Sequence, residues 1–313
     1  MKIEKKLPGV KKNILLKNYT TFLIGGPAKY FFQAKTKRDL ILAVKIAKKF
    51  RLPFFVLGGG SNLLVSDKGF KGLVIKIRNS KFEILNGARR RREGGGMVSS
   101  KIFTEAGTLL GHLVNATTRV GLTGLEWAVG IPGTVGGAVR GNAGAFRKSM
   151  KDIIKTVEAF DTKTGKIKIL KNKDCKFGYR DSIFKKNKNL IILSAVLQLK
   201  KGRHPPATRK KKIKNKIKKN LKQRKETQPL NFPSAGSIFQ NPPGFSAGEL
   251  IEKCGLKGKR IGNVKIFEKH ANFIVNLGGG KGKDVMGLIK IIKNKVKNKF
   301  GIVLEEEVQF LGF

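Results

Sequence analysis

At 313 residues the chain is long enough for two or three domains and a well-buried core. Its 67 Lys and Arg against 20 Asp and Glu give a formal net charge of +47, a field that draws in polyanions and phosphate-bearing ligands. The two cysteines, Cys175 and Cys254, form no C-x-x-C pair, which argues against a disulfide framework or a zinc site.

The lysines neither gather in one block nor alternate with aromatics, as they would at a single-strand site. They read as a compositional habit, with no specific nucleic-acid partner. No apolar run approaches a membrane span, and Ile14-Leu15-Leu16 is too short for a secretion signal. A soluble cytoplasmic protein with no metal and no membrane partner is expected.

Residues 1–17 read as a basic, loosely packed lead-in. Residues 28–34 read as a strand. Thr36 with Asp39 three residues on is a capping-box pattern, and Leu40, Ala43, Val44, Ala47 and Phe50 then repeat at helical spacing. After Pro53 an apolar strand at 54–57 runs into Gly58-Gly59-Gly60-Ser61-Asn62, with a further strand at 72–77. A glycine loop at a strand end is where α/β sheets place phosphates. Four arginines at 89–92 followed by Gly94-Gly95-Gly96 suggest an exposed hairpin or insertion over 86–100.

Residues 121–146, GLTGLEWAVGIPGTVGGAVRGNAGAF, contain eight glycines and only two charges, Glu126 and Arg140. Glycine permits φ > 0 and close approach of another group to the backbone. The density fits a tight crossing of strands as well as a ligand cradle. Antiparallel strands are expected at 157–160, 167–170 and 190–199. A lysine-rich helix follows within 203–228, its narrow stripe Ile213, Ile217, Leu221 placing it on the surface between domains. The last helix shows Val285, Leu288, Ile289, Ile292, Val296 and Phe300 on one face and Gly301 as its stop. A closing strand at 308–313 would set Glu307 and Gln309 on one face, opposite Val308 and Phe310.

Several motifs carry chemistry. Residues 57–67, LGGGSNLLVSD, are no dinucleotide fingerprint, because Leu63 stands where a third glycine belongs, and no G-x-x-x-x-G-K-[ST] occurs. Tyr179-Arg180-Asp181-Ser182 offers a guanidinium suited to a carboxylate. Residues 233–242, PSAGSIFQNP, contain Ser237 and Asn241, and Glu305-Glu306-Glu307 precede the last strand.

In this order these motifs resemble the UDP-N-acetylenolpyruvoylglucosamine reductase family, from about Asn18 onward and in its subclass without an extra tyrosine-bearing loop. The resemblance implies an α+β fold: a two-lobed FAD-binding module of the vanillyl-alcohol-oxidase type (18–79 and 80–202), the linker helix (203–228) and a smaller substrate domain (229–313). It implies non-covalent FAD held by Gly58, Gly59, Gly60, Ser61, Asn62, Gly130, Ile131, Pro132, Gly133, Gly137, Asn142, Ala143 and Gly144. Ser237 would donate a proton, Arg180 would clamp the enolpyruvyl carboxylate, and Glu307 would assist the enolic intermediate. Asn241, Tyr179 and His270 would line the substrate site. The chain departs from the family at Gly141, usually bulky, and at Thr227, where a lysine is usual.

The implied activity is NADPH-dependent reduction of UDP-N-acetylglucosamine enolpyruvate to UDP-N-acetylmuramate by a monomer. Two other readings compete. A related oxidase with covalent flavin would need a histidine or cysteine beside the cradle, and the glycine loops contain none. A nucleic-acid-binding protein would use the arginines at 89–92 and the helix at 209–225.

Overall fold

The computed structural model describes residues 3–85, 98–201 and 205–313. The chain forms two compact units, one of Met1–Phe32, Phe50–Ile75 and Arg224–Phe313, the other of Gln33–Lys49 and Lys76–Gln223.

In the first unit, strands Lys11–Leu15, Pro27–Ala34, Phe70–Ile77 and Phe54–Leu57 form a sheet in that order. The N-terminal residues are thus more than a loose lead-in. Lys11–Leu15 pairs antiparallel with Pro27–Ala34, and Ile3, Leu7 and Leu16 are buried. An edge strand that buries little keeps a polar sequence, so its pattern gives no signal.

A second antiparallel sheet orders Ser234–Ser237, Phe273–Asn276, Val264–Ile266 and Arg260–Ile261. Helices Ala247–Lys253 and Gly282–Phe300 share its core, where Ile238, Phe239, Ile251, Val264, Ile274, Leu288 and Ile292 are buried. Each such side chain contributes roughly 1.5–3 kcal/mol on leaving water. The long helix ends as its pattern requires: Gly301 has φ 70° and donates its N–H to the Lys297 carbonyl at 2.8 Å. At its other end the Asp67 carboxylate accepts from the N–H groups of Gly282 (2.8 Å) and Lys283 (3.0 Å), a negative charge where the helix dipole favours one.

The closing strand is shorter than expected. Only Gln309–Leu311 pairs, in parallel, with Leu63–Val65. Val308 and Leu311 are buried while Phe310 is 37% exposed, so strict alternation from 307 fails. Glu307 precedes the strand, and hydrogen bonds rather than pleat fix its place.

In the second unit Ile167–Lys171, Ile154–Asp161, Leu190–Lys201, Val98–Glu105 and Phe82–Leu85 lie side by side in that order, with all neighbours antiparallel. Leu122–Thr123 adds to the end of Leu190–Lys201. The capping box forms as read: Asp39 N–H donates to Thr36 Oγ1 at 3.1 Å, and Thr36 N–H to Asp39 Oδ2 at 2.9 Å. The arginine run and Gly94-Gly95-Gly96 lie outside the described residues.

Helix Pro206–Thr227 is held differently from its apolar stripe. Arg209, Ile213, Asn220 and Arg224 are its buried side chains, with Ile217 and Leu221 only half-buried. Asn220 Nδ2 donates to the Glu126 carbonyl at 2.9 Å. Polar residues that find partners inside read as solvent-facing in any hydrophobicity pattern.

Neither cysteine is in a disulfide, and burial pushes the Cys175 thiol up to about 12. Among the described residues no helix is long and apolar enough to cross a membrane, and no group of His, Cys, Asp and Glu is placed to hold a metal.

Candidate active site

The glycine-rich stretch turns its side chains inward. Glu126 is buried and accepts the Gly124 N–H at 2.9 Å and the Thr123 hydroxyl, while Trp127 Nε1 donates to the Gly124 carbonyl at 2.9 Å. Thr134 caps helix Val135–Arg140 through the Gly137 N–H. A Cβ at Gly136 would lie 2.9 Å from that of Ala106, and one at Gly144 would lie 2.6 Å from the Lys148 carbonyl oxygen, so these two glycines serve packing.

Gly137 and Gly141 differ. A Cβ at Gly137 would meet only Thr134 Oγ1 at 3.7 Å, and one at Gly141 only the Gly137 oxygen at 3.6 Å. Gly130, Pro132 and Gly137 are exposed, Ile131, Gly133, Ala143 and Gly144 half-buried, and Trp127, Ala128, Val135 and Val139 buried. The result is an uncharged rim of bare backbone over an apolar floor, which fits a flat cofactor laid against the chain. The departure at Gly141 leaves room rather than a collapse.

Asn142 ties this rim to the arginine motif. It is buried with φ 42°, accepts the Lys151 N–H at 2.9 Å and donates to the Gly178 carbonyl at 2.7 Å. Gly178 and Asp181 bond to each other across Tyr179 and Arg180, and Arg180 sits at φ 51°. Ser182 Oγ donates to the Arg140 carbonyl at 2.6 Å, and Lys186 pairs with Asp181 at 2.8 Å. Arg180 is half-buried, its guanidinium 5.4 Å from the ring of exposed Tyr179. A non-glycine residue in the left-handed region costs about 1–3 kcal/mol and persists only where neighbours enforce it. In this unit Asn142, Tyr179 and Arg180 are brought together.

In the other unit, Gly60 turns the chain at φ 69° after strand Phe54–Leu57. Gly58, Gly59, Ser61 and Asn62 around it are half-buried. Asn62 Nδ2 donates to the Glu307 carbonyl at 3.0 Å, and the Asn62 carbonyl accepts the Gln309 N–H at 3.1 Å. The Glu307 N–H donates to the carbonyl of Ile238, next to Ser237, at 2.8 Å, and the Gln240 N–H donates to that of Glu305 at 2.9 Å. One junction thus joins Asn62, Glu307 and the Ser237 segment. Of the three carboxylates, Glu306 pairs with Lys293 at 2.8 Å and Glu305 is exposed, whereas Glu307 is half-buried in the junction.

Sequence reasoning missed Asn272. It is buried, with Oδ1 accepting the Phe239 N–H at 2.9 Å, Nδ2 donating to the Phe239 carbonyl at 2.8 Å, and its own carbonyl taking the Ile238 N–H at 2.8 Å. The available signal was an amide at the start of an apolar run, which implies an internal partner. Asn241 is exposed, and its Oδ1 accepts the Ala247 N–H at 3.0 Å at the start of helix Ala247–Lys253.

His270 is half-buried, edge-on to Phe273 at 4.8 Å, with Nδ1 accepting the Asn272 N–H at 3.4 Å. Burial lowers its pKa from the ordinary 6.5, so the neutral ring is the favoured form. Stability is therefore lost as pH falls from 6.5 toward the lowered folded value. His270→Gln is expected to flatten the dependence of melting temperature on pH in that acid window. An unchanged slope would show that this ring contributes nothing to it.

An FAD binding domain model matches residues 28–171, and a model of the UDP-N-acetylenolpyruvoylglucosamine reductase C-terminal domain matches 228–311. The UDP-N-acetylenolpyruvoylglucosamine reductase of Caldanaerobacter subterraneus is 42% identical over 297 residues, covering 95% of this chain and 92% of that protein. That of Clostridium novyi is 40% identical over 303 residues, covering 97% and 92%. A crystal structure of the reductase from Thermus caldophilus is 36% identical with a TM-score of 0.75, over 96% of this chain and 98% of that one. This likeness bears out the α+β fold with a flavin-binding module. The chain belongs to the UDP-N-acetylenolpyruvoylglucosamine reductase family.

Proposed function

We propose that this protein reduces the enolpyruvyl group of UDP-N-acetylglucosamine enolpyruvate to give UDP-N-acetylmuramate, with NADPH as hydride donor and FAD held without a covalent bond. The observation that carries the reading is the junction in which the Glu307 N–H grips Ile238 beside Ser237 while Asn62 grips the Glu307 carbonyl. It links the backbone segments that carry a glycine loop, a hydroxyl and a carboxylate.

When bound, FAD supplies a two-electron relay from NADPH to C3 of the enolpyruvyl group. The chain's residues position and polarise. Backbone N–H groups of Gly58, Gly59, Gly60, Ser61 and Asn62 suit a pyrophosphate. The bare rim of Gly130, Ile131, Pro132, Gly133 and Gly137, with Asn142, Ala143 and Gly144, suits the rest of the cofactor. Arg180 binds the substrate carboxylate through paired donors, and Glu307 polarises the enolic carbon–oxygen system. Ser237 delivers the proton to C2, balancing the hydride added at C3. Tyr179, Asn241 and His270 line the substrate.

The net charge of +47 favours capture of the anionic substrate and nucleotide, an effect that added salt weakens. The protein acts in the cytoplasm as a monomer, without a specific nucleic-acid partner, and residues 229–313 carry the substrate domain.

The purified protein should show a flavin absorption spectrum that NADPH bleaches under anaerobic conditions. The enolpyruvyl substrate should restore it, with one product formed per flavin. A protein that cannot be loaded with FAD, or whose reduced flavin the substrate fails to reoxidise, would overturn the reading.

A further inference from the structure

The strand that carries Ser237 pairs irregularly with its own sheet. Ser234–Ser237 is an edge strand, paired on one side only, with Phe273–Asn276. Its ladder is irregular: Ser234 faces Val275 and Ser237 faces Phe273, so the strand advances three residues while its partner advances two. Gly236, inside the irregularity, has φ 78°. A bulge next to a site re-aims side chains, so the contacts that flank it set where the Ser237 side chain points.

Two bonds hold the Ser234 end: the Asn276 N–H donates to the Pro233 carbonyl at 2.9 Å, and a side chain from outside the sheet supplies the other. Thr21 Oγ1 donates to the Ser234 carbonyl at 2.7 Å, across 213 residues of sequence. The Thr21 N–H donates to the Gly60 carbonyl at 3.2 Å. Thr21 therefore bonds the glycine loop with its backbone and the Ser237 strand with its side chain.

Its neighbours hold it in place. Gly60 packs against residues 19 and 20, a Cβ there falling 2.1 Å from the Tyr19 oxygen. The carbonyl of buried Phe22 accepts Asn276 Nδ2 at 2.9 Å, from the strand paired with Ser234–Ser237. Thr20 Oγ1 donates to the Ile24 carbonyl at 3.3 Å, closing the loop on itself.

We propose that Thr21 is a positioning residue for the protonation step, setting the Ser237 strand against the glycine loop at 58–62. The inference rests on Ser237 being the proton donor. A misplacement of the order of 1 Å in a reacting group can cost about 100-fold in rate, so a hydroxyl that fixes the strand can matter without touching substrate.

The test compares the holoenzyme with Thr21→Val, which keeps the shape but loses the hydroxyl, and Thr21→Ser, which keeps the hydroxyl. Flavin reduction by NADPH and reoxidation by the enolpyruvyl substrate are followed separately by rapid mixing. For Thr21→Val, flavin content and the reduction rate should stay near wild type. Reoxidation should slow by about 10-fold or more, with a larger solvent deuterium isotope effect. Thr21→Ser should recover most of the rate. Wild-type reoxidation in Thr21→Val would overturn the inference, as would equal slowing of both half-reactions with flavin loss. Ser237→Ala, run in parallel, separates the two ideas. If it reoxidises normally, the donor assignment fails. If it stalls while Thr21→Val does not, only the role of Thr21 fails.

Discussion

Ser237→Ala is expected to leave reduction of bound FAD by NADPH nearly intact while reoxidation by the enolpyruvyl substrate falls by about 100- to 10,000-fold, the range for losing a positioned general acid. The split follows from the chemistry. Hydride transfer from NADPH needs the cofactor and the nucleotide, whereas product formation also needs a proton at C2. The substitution should not disturb the fold. Ser237 is half-buried, and the neighbouring backbone is held by Glu307 on Ile238 and by Asn272 on Phe239, neither of which uses the serine side chain. Rapid-mixing absorbance of the two half-reactions, with melting temperature as a control, decides the matter. Equal losses in both would show that Ser237 supports structure or cofactor binding.

Gly60→Ala is expected to abolish stable flavin binding and lower the melting temperature. Two costs combine. A left-handed φ of 69° is strained for alanine, by about 1–3 kcal/mol. In addition, the new methyl would lie 2.1 Å from the Tyr19 carbonyl oxygen, so one backbone segment must move. Moving it disturbs the Thr21–Gly60 hydrogen bond and the loop whose amides face the cofactor in the proposed reading. Gly111→Ala provides the contrast. Within helix Leu110–Arg119 a Cβ at Gly111 meets nothing within 4 Å, and alanine there should stabilise by roughly 0.5–1 kcal/mol. Flavin absorbance per protein and thermal melts of the two variants check the pair. A yellow Gly60→Ala protein with wild-type melting would refute the argument.

Local signals carried much of the fold. The Thr36–Asp39 box and the stripe ending at Gly301 are short-range patterns with one cheap structural solution, and both form as read. The helix Pro206–Thr227 was legible as a helix, but its buried face was not. Arg209, Asn220 and Arg224 go inside because of what they meet, such as the Glu126 carbonyl, and spacing encodes none of that. The closing strand failed for a related reason: its partner Leu63–Val65 lies far away in sequence, so alternation predicted more pairing than that partner can accept.

At the site, family likeness named the motif residues, while the backbone partners that hold them were not legible. Asn142, Asn272 and Thr21 act on the backbone of distant segments. A single amide or hydroxyl carries no sequence mark of such a partner. The Asn62 side chain bonds the Glu307 carbonyl, so the cofactor role proposed for Asn62 falls to its backbone N–H.

The bond between Asn62 and Glu307 joins residues 245 positions apart, and the parallel pairing of Leu63–Val65 with Gln309–Leu311 follows it directly. On the ribosome, the glycine turn emerges long before the segment that completes its support. Contacts this distant form late, since loop closure must precede them. A stalled nascent chain lacking residues after 300 should therefore fail to retain flavin, whereas one in which residues 301–313 have left the ribosome should retain it.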